Sequence, residues 1–162
     1  MLEEPELLIC PWADEARPPN AAVQKRLIRL PASGQFLGFA RAISTHSWWS
    51  WLTRRTLQVF ETEDASLLMT VYCPRGLRRT AEVYDAEERR VGFIYRHGLW
   101  ESSGTQLAIS ESHTGGGRFV SPTGADLATF ELRPEQGIVL VFHPILEGKP
   151  FVRMTVLAAV LS

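Results

Sequence analysis

The feature that most restricts this chain is its last stretch, PFVRMTVLAAVLS. Nine of the eleven residues from Phe151 to Leu161 are apolar, the exceptions being Arg153 and Thr155. A membrane-crossing helix needs about 20 apolar residues, so the run is too short to span. A helix lying on a protein surface keeps one polar face, whereas here Val152, Met154, Val156, Leu157, Ala158, Val160 and Leu161 cover every side. The fold must therefore surround a short helix with apolar side chains. Such a helix is roughly 16 Å long at 1.5 Å per residue, and Pro150 suits its first position, where a missing N–H costs nothing.

The rest of the chain reads as β-structure. Short apolar runs such as FLGFARAI, RTLQVFE, LLMTVYC, VGFIYR and GIVLVFH are separated by Gly, Pro and acidic turns, the signature of strands. No segment before residue 150 keeps a 3.6-residue period over three turns. Residues 1–24, with Pro5, Pro11, Pro18 and Pro19, read as an irregular arm outside the domain, which then covers 25–162 with its helix at 151–162.

A repeat runs through the strands. LQVFETEDASLLMTVY (57–72) aligns without a gap on AEVYDAEERRVGFIYR (81–96), and GRFVSPTGADLATFEL (117–132) follows the same strand, turn, strand plan. The alignment sets turns at Glu61–Ser66 and Asp85–Arg90. It also predicts that Leu67, Met69 and Val71, and likewise Val91, Phe93 and Tyr95, face a core. Consecutive hairpins make an antiparallel sheet, and closing the sheet removes its exposed edges. A barrel of about a dozen strands is too wide for its own side chains to fill, so the apolar helix is expected to plug it.

The VYDAEERRVGFI unit and the closing PFVRMTVLAAVLS resemble the strand unit and C-terminal hydrophobic helix of the tubby-like superfamily, which includes phospholipid scramblases and LURP-one-related proteins. The likeness covers roughly residues 27–162. It implies a closed antiparallel barrel of about twelve strands around a central helix, and a bias toward lipid ligands. Two departures bear on activity. HPILEGKP leads into the helix with Glu147 as its one acid, and no cysteine cluster is present, so calcium-activated scrambling is not implied. No motif carries phosphoinositide-binding positions over from tubby proteins residue by residue.

Composition narrows the function classes. A net charge of −1 gives no overall pull toward nucleic acid, and none is expected as a partner. Cys10 and Cys73 stand far apart, without a disulfide framework, and the acidic start MLEEPELLIC does not read as a signal peptide. The expectation is a cytoplasmic protein, peripheral at the membrane if it binds lipid. His46, His97, His113 and His143 are scattered, without metal-ligand spacing. The glycines of HTGGGRF lead into a strand, where a phosphate loop needs a helix N-terminus. Neither a metal, a cofactor nor a catalytic residue is expected.

Two stretches present binding chemistry. HSWWSWLTRR sets Trp48, Trp49 and Trp51 beside Arg54 and Arg55, a pattern suited to a membrane interface. It equally describes rings packed under a barrel rim beside two solvated arginines. PRGLRR brings Arg75, Arg78 and Arg79 into one loop, able to hold phosphate through bidentate hydrogen bonds. Asp85, Glu87 and Glu88 follow closely and could neutralise it. The expectation is a non-enzymatic binding module for anionic phospholipid head groups or another phosphate-bearing ligand. The alternative is a protein–protein interaction or scaffold domain without a lipid role.

Overall fold

A computed structural model describes residues 1–11, 23–44, 54–61, 66–74 and 80–162. Twelve strands follow one another as an antiparallel meander: β1 (Glu6–Pro11), β2 (Val23–Arg29), β3 (Phe36–Ser44), β4 (Arg54–Glu61), β5 (Ser66–Pro74), β6 (Thr80–Asp85), β7 (Arg90–Tyr95), β8 (Gly98–Glu101), β9 (Gln106–His113), β10 (Gly116–Val120), β11 (Asp126–Arg133) and β12 (Gly137–Phe142). Each pairs with its sequence neighbours, and β1 pairs with β12 through Leu7↔Leu140, which closes the barrel. The predicted closed barrel with one C-terminal helix is therefore observed. Helix α1 (Pro150–Leu161) follows β12 after a short 3-10 turn, Pro144–Leu146.

The N-terminal arm differs from expectation. Glu6–Pro11 is not irregular but forms the closing strand, with Leu7 and Ile9 buried. The prolines misled because Pro5 precedes the strand and Pro11 ends it, the two places a ladder tolerates a missing N–H. Strand β2 then begins at Val23, two residues before the expected boundary.

The repeat is more extensive than the sequence suggests. Five hairpins (β2–β3, β4–β5, β6–β7, β8–β9 and β10–β11) each carry one β-bulge in the returning strand, just after the turn. In β4–β5, Val59 pairs with Met69 and Phe60 with Leu67, which skips Leu68. In β6–β7, Val83 pairs with Gly92 and Tyr84 with Arg90, which skips Val91. The other three hairpins skip Leu37, Leu107 and Leu127. All five skipped residues are aliphatic and join or pack against the core.

Three of these turns share one backbone pattern. Asp85, Glu101 and Ser121 each donate an N–H to the carbonyl four residues on, at 2.8–3.0 Å. The fourth residue of each turn is left-handed: Glu88 (φ 61°), Gly104 (φ 91°) and Gly124 (φ 85°).

The bulge changes which residues face inward. Met69 and Val71 are fully buried, as predicted. In β7 the prediction holds for Val91, which is buried, and is out of phase beyond it: Gly92 is buried, Phe93 is half-buried and Tyr95 is 41 % exposed. One extra residue in a strand inverts every face beyond it. Phe93 instead stacks on Trp100 of the neighbouring strand, ring centroids 6.0 Å apart.

Seven of the twelve α1 residues are buried, with Val156, Leu157, Ala158 and Leu161 fully so. They join one core cluster with strand residues such as Leu7, Ile28, Val59, Val83, Phe119 and Leu140. The helix packs chiefly against β7 and β8 and also touches β6 and β12. Arg153 is buried beside the helix start. Its Nε donates to the Leu146 carbonyl at 3.1 Å, and its Nη1 donates to the carbonyls of Leu2 and Glu4. The guanidinium also lies 5.0 Å from the Phe142 ring centroid. One side chain thus ties the N-terminal segment to the helix, and no helix is long and apolar enough to cross a membrane among the described residues.

Candidate ligand-binding face

Charge is distributed unevenly over the strands. Strands β2, β3 and β4 hold six basic residues, Lys25, Arg26, Arg29, Arg41, Arg54 and Arg55, and a single acid, Glu61. The remainder of the chain holds eleven basic and seventeen acidic residues. A near-neutral protein therefore carries +5 on three adjacent strands and −6 elsewhere.

On the outward side of these strands Arg41 lies beside a pair of aromatic rings. Lys25 stands directly opposite Arg41, a like-charge pairing that disfavours the folded sheet. Arg41 Nη2 donates to Gln58 Oε1 at 2.7 Å, and its guanidinium lies 5.2 Å from the Phe60 ring centroid. Phe60 in turn stacks on Phe39, centroids 4.8 Å apart and planes within 20°.

A second group occupies the inward side at one end of the barrel. Arg26 shares a face with the fully buried Ile28, two residues along β2. Burial, and then the positive charge of Arg55, lower the Arg26 pKa from its ordinary value. Burial pushes the Cys73 thiol up, a shift that Arg55 and the Ser162 hydroxyl partly offset. Arg26, Arg55 and Cys73 therefore meet near the C-terminal end of α1.

Of the residues singled out from sequence, Arg54 and Arg55 open β4, where Arg54 pairs with Pro74 and Arg55 with Ser44 and Cys73. Arg55 is half-buried, and the Arg54 side chain is outside what is described. Trp48, Trp49, Trp51, Arg75, Arg78 and Arg79 lie outside the described residues. The structure joins Arg55 to Arg26, and it adds Arg29 and Arg41 to the outward face. Whole-chain charge hid these positions, but the alternation of Lys25, Leu27 and Arg29 in KRLIR marks one polar strand face. Asp85 and Arg89, by contrast, belong to a turn. Asp85 Oδ1 accepts the N–H groups of Glu87 and Arg89, and Oδ2 accepts Arg89 Nε at 2.8 Å.

Among the described residues no three His, Cys, Asp or Glu stand close enough to hold a metal ion. A cleft of about 320 Å³ lies at the start of α1, lined by Val91, Leu107, Phe151 and Val152 among others. Another of about 190 Å³ lies near its end, lined by Ile94, Phe119, Ala159 and Val160 among others. Neither includes the arginines of β2–β4. No family model, no curated protein and no solved structure matches this chain.

Proposed function

We propose that this protein is a non-enzymatic binding module of tubby-like type, with α1 threaded through the barrel as its core plug. In this reading it acts peripherally, on the cytoplasmic side of a membrane, and contacts anionic phospholipid head groups or another phosphate-bearing ligand. The plug is supported by the fully buried residues of α1 and by clefts at its two ends, each lined by the helix together with β7, β8 and β9. With the interior filled, a ligand must use the outside and the loops, where function on a rigid scaffold usually resides.

The observation that carries the ligand class is the basic excess of β2–β4, six basic residues against one acid, of which Lys25, Arg29 and Arg41 stand on the outward face. Arg54 and Arg55 end the HSWWSWLTRR segment, whose indoles suit a headgroup region. Each basic residue near an anionic bilayer contributes on the order of 1 kcal/mol, so this face could hold the protein there with salt-sensitive affinity. Liposome co-sedimentation over headgroup charge and salt tests the reading. Binding that grows with anionic lipid and weakens with salt supports it. Absence of vesicle binding, with saturable capture of a protein partner, supports the scaffold alternative.

A further inference from the structure

Two guanidinium groups on the outward face of β2–β4 have incomplete hydrogen bonding. Arg29 Nε and Arg41 Nε are buried, and neither N–H meets an acceptor. Neither side chain takes part in an ion pair among the described residues. A buried donor left without an acceptor destabilises a fold, so two on one face are not explained by stability. Leu27 lies between Lys25 and Arg29 on β2 and pairs with Phe39, which stacks on Phe60. The two arginines thus flank a strip formed by Leu27, Phe39 and Phe60.

We propose that this face is an oxyanion site in which Arg29 and Arg41 take phosphate oxygens of a phosphorylated lipid headgroup, one on each side of the apolar strip. The proposal rests on the phosphate-ligand reading above and adds the residues that make the contact. A turn about the terminal torsions of each side chain presents the Nε and Nη edge, the fork that matches an oxyanion in bidentate fashion. Binding then satisfies donors that the free protein leaves without acceptors. The outer face of a closed barrel offers a sheet surface, and none of the clefts given above lies on it, so an array of headgroups fits it better than an enclosed small molecule.

The test compares parent protein, Arg29→Met/Arg41→Met and Arg29→Lys/Arg41→Lys on phosphatidylcholine vesicles. These contain either phosphatidylserine or a phosphatidylinositol phosphate, at matched charge. Each arginine should contribute roughly tenfold in affinity through charged hydrogen bonds. The Met variant should lose binding while melting close to the parent temperature, because removing two buried unpaired donors offsets the loss of the Arg41 contacts with Gln58 and Phe60. The Lys variant should keep weak binding but lose preference for the phosphomonoester headgroup. Competition by soluble inositol polyphosphate would assign the same oxyanion site to a free phosphorylated ligand. Parental binding by the Met variant overturns the proposal, as does a lowered melting temperature with unchanged headgroup preference. An Arg75→Gln/Arg78→Gln/Arg79→Gln variant separates the two readings. If it alone loses binding, the ligand class stands and the Arg29/Arg41 site falls; if the parent binds no vesicle or phosphate, both fall.

Discussion

Gly92 offers a direct test of how α1 meets the barrel. It is buried in β7, and a Cβ added there would lie 2.6 Å from the Trp100 carbonyl oxygen and 2.9 Å from Thr155 Oγ1. The first neighbour is backbone of the adjacent strand and the second belongs to the helix, so neither can rotate fully clear. Gly92→Ala must therefore part β7 from β8 or push α1 away. Over-packing of this kind costs about 1–3 kcal/mol. For a domain of this size that lowers the melting temperature by roughly 2–12 °C. Thr155 Oγ1 donates to the Phe151 carbonyl at 2.9 Å, so Thr155→Ala should itself cost about 1 kcal/mol. It also clears one of the two clashes. In a double-mutant cycle followed by urea denaturation, the pair should be less damaging than the sum of its parts by about 0.5 kcal/mol or more. An unchanged denaturation midpoint for Gly92→Ala would refute the close approach of helix and strand, and strict additivity would place Thr155 elsewhere.

Other expectations follow from single positions. Leu157 is fully buried, so Leu157→Ala should cost about 2–5 kcal/mol and Leu157→Asp should abolish cooperative melting; a folded Asp variant with parental stability excludes the plug. Glu88 occupies a left-handed turn position that Gly104 and Gly124 fill in equivalent turns, so Glu88→Gly should stabilise by about 1 kcal/mol, read as a raised urea midpoint. For Asp85, burial pushes the carboxyl up, but hydrogen bonds from Arg89 and Glu87 together with the Arg89 charge outweigh it and leave the pKa below the ordinary value. Its contribution is thus present above about pH 4 and lost as pH falls through the folded-state value. The stability gap between parent and Asp85→Asn should narrow in acid, and a constant gap would contradict the ionised form.

The helix was legible because it is apolar on every side, and the strands because turn residues bound them. The facing of β7 was not. Val91, Phe93 and Tyr95 alternate as a buried face should, but the bulge that skips Val91 hands the inner position to Gly92. Nothing in hydropathy distinguishes a bulged valine from a paired one. Strand β1 was hidden by its flanking prolines. The binding face was obscured differently: summing charge over 162 residues gives −1 and erases a segregation that appears only once β2, β3 and β4 are known to be neighbours. Arg55 was found from its sequence context, whereas Arg29 and Arg41 gain meaning from the acceptors that their Nε groups lack.

The five bulges also bear on why binding should fall outside the barrel. The inner residue next to each is Gly38, Met69, Gly92, Ala108 or Ala128, small in four of five cases. Small inner side chains leave a barrel of twelve strands unfilled. At Gly92 the helix comes close, with Thr155 Oγ1 2.9 Å from where a Cβ would lie. A cavity for a ligand would need those same positions free. With α1 as the plug proposed above, the inward positions are committed to packing and the outward ones are released from it. That release is what allows the Nε groups of Arg29 and Arg41 to stand without acceptors on the outer face at a cost the interior could not bear. Replacing an outward arginine should therefore alter binding before it alters folding, and replacing an inward small residue should do the reverse.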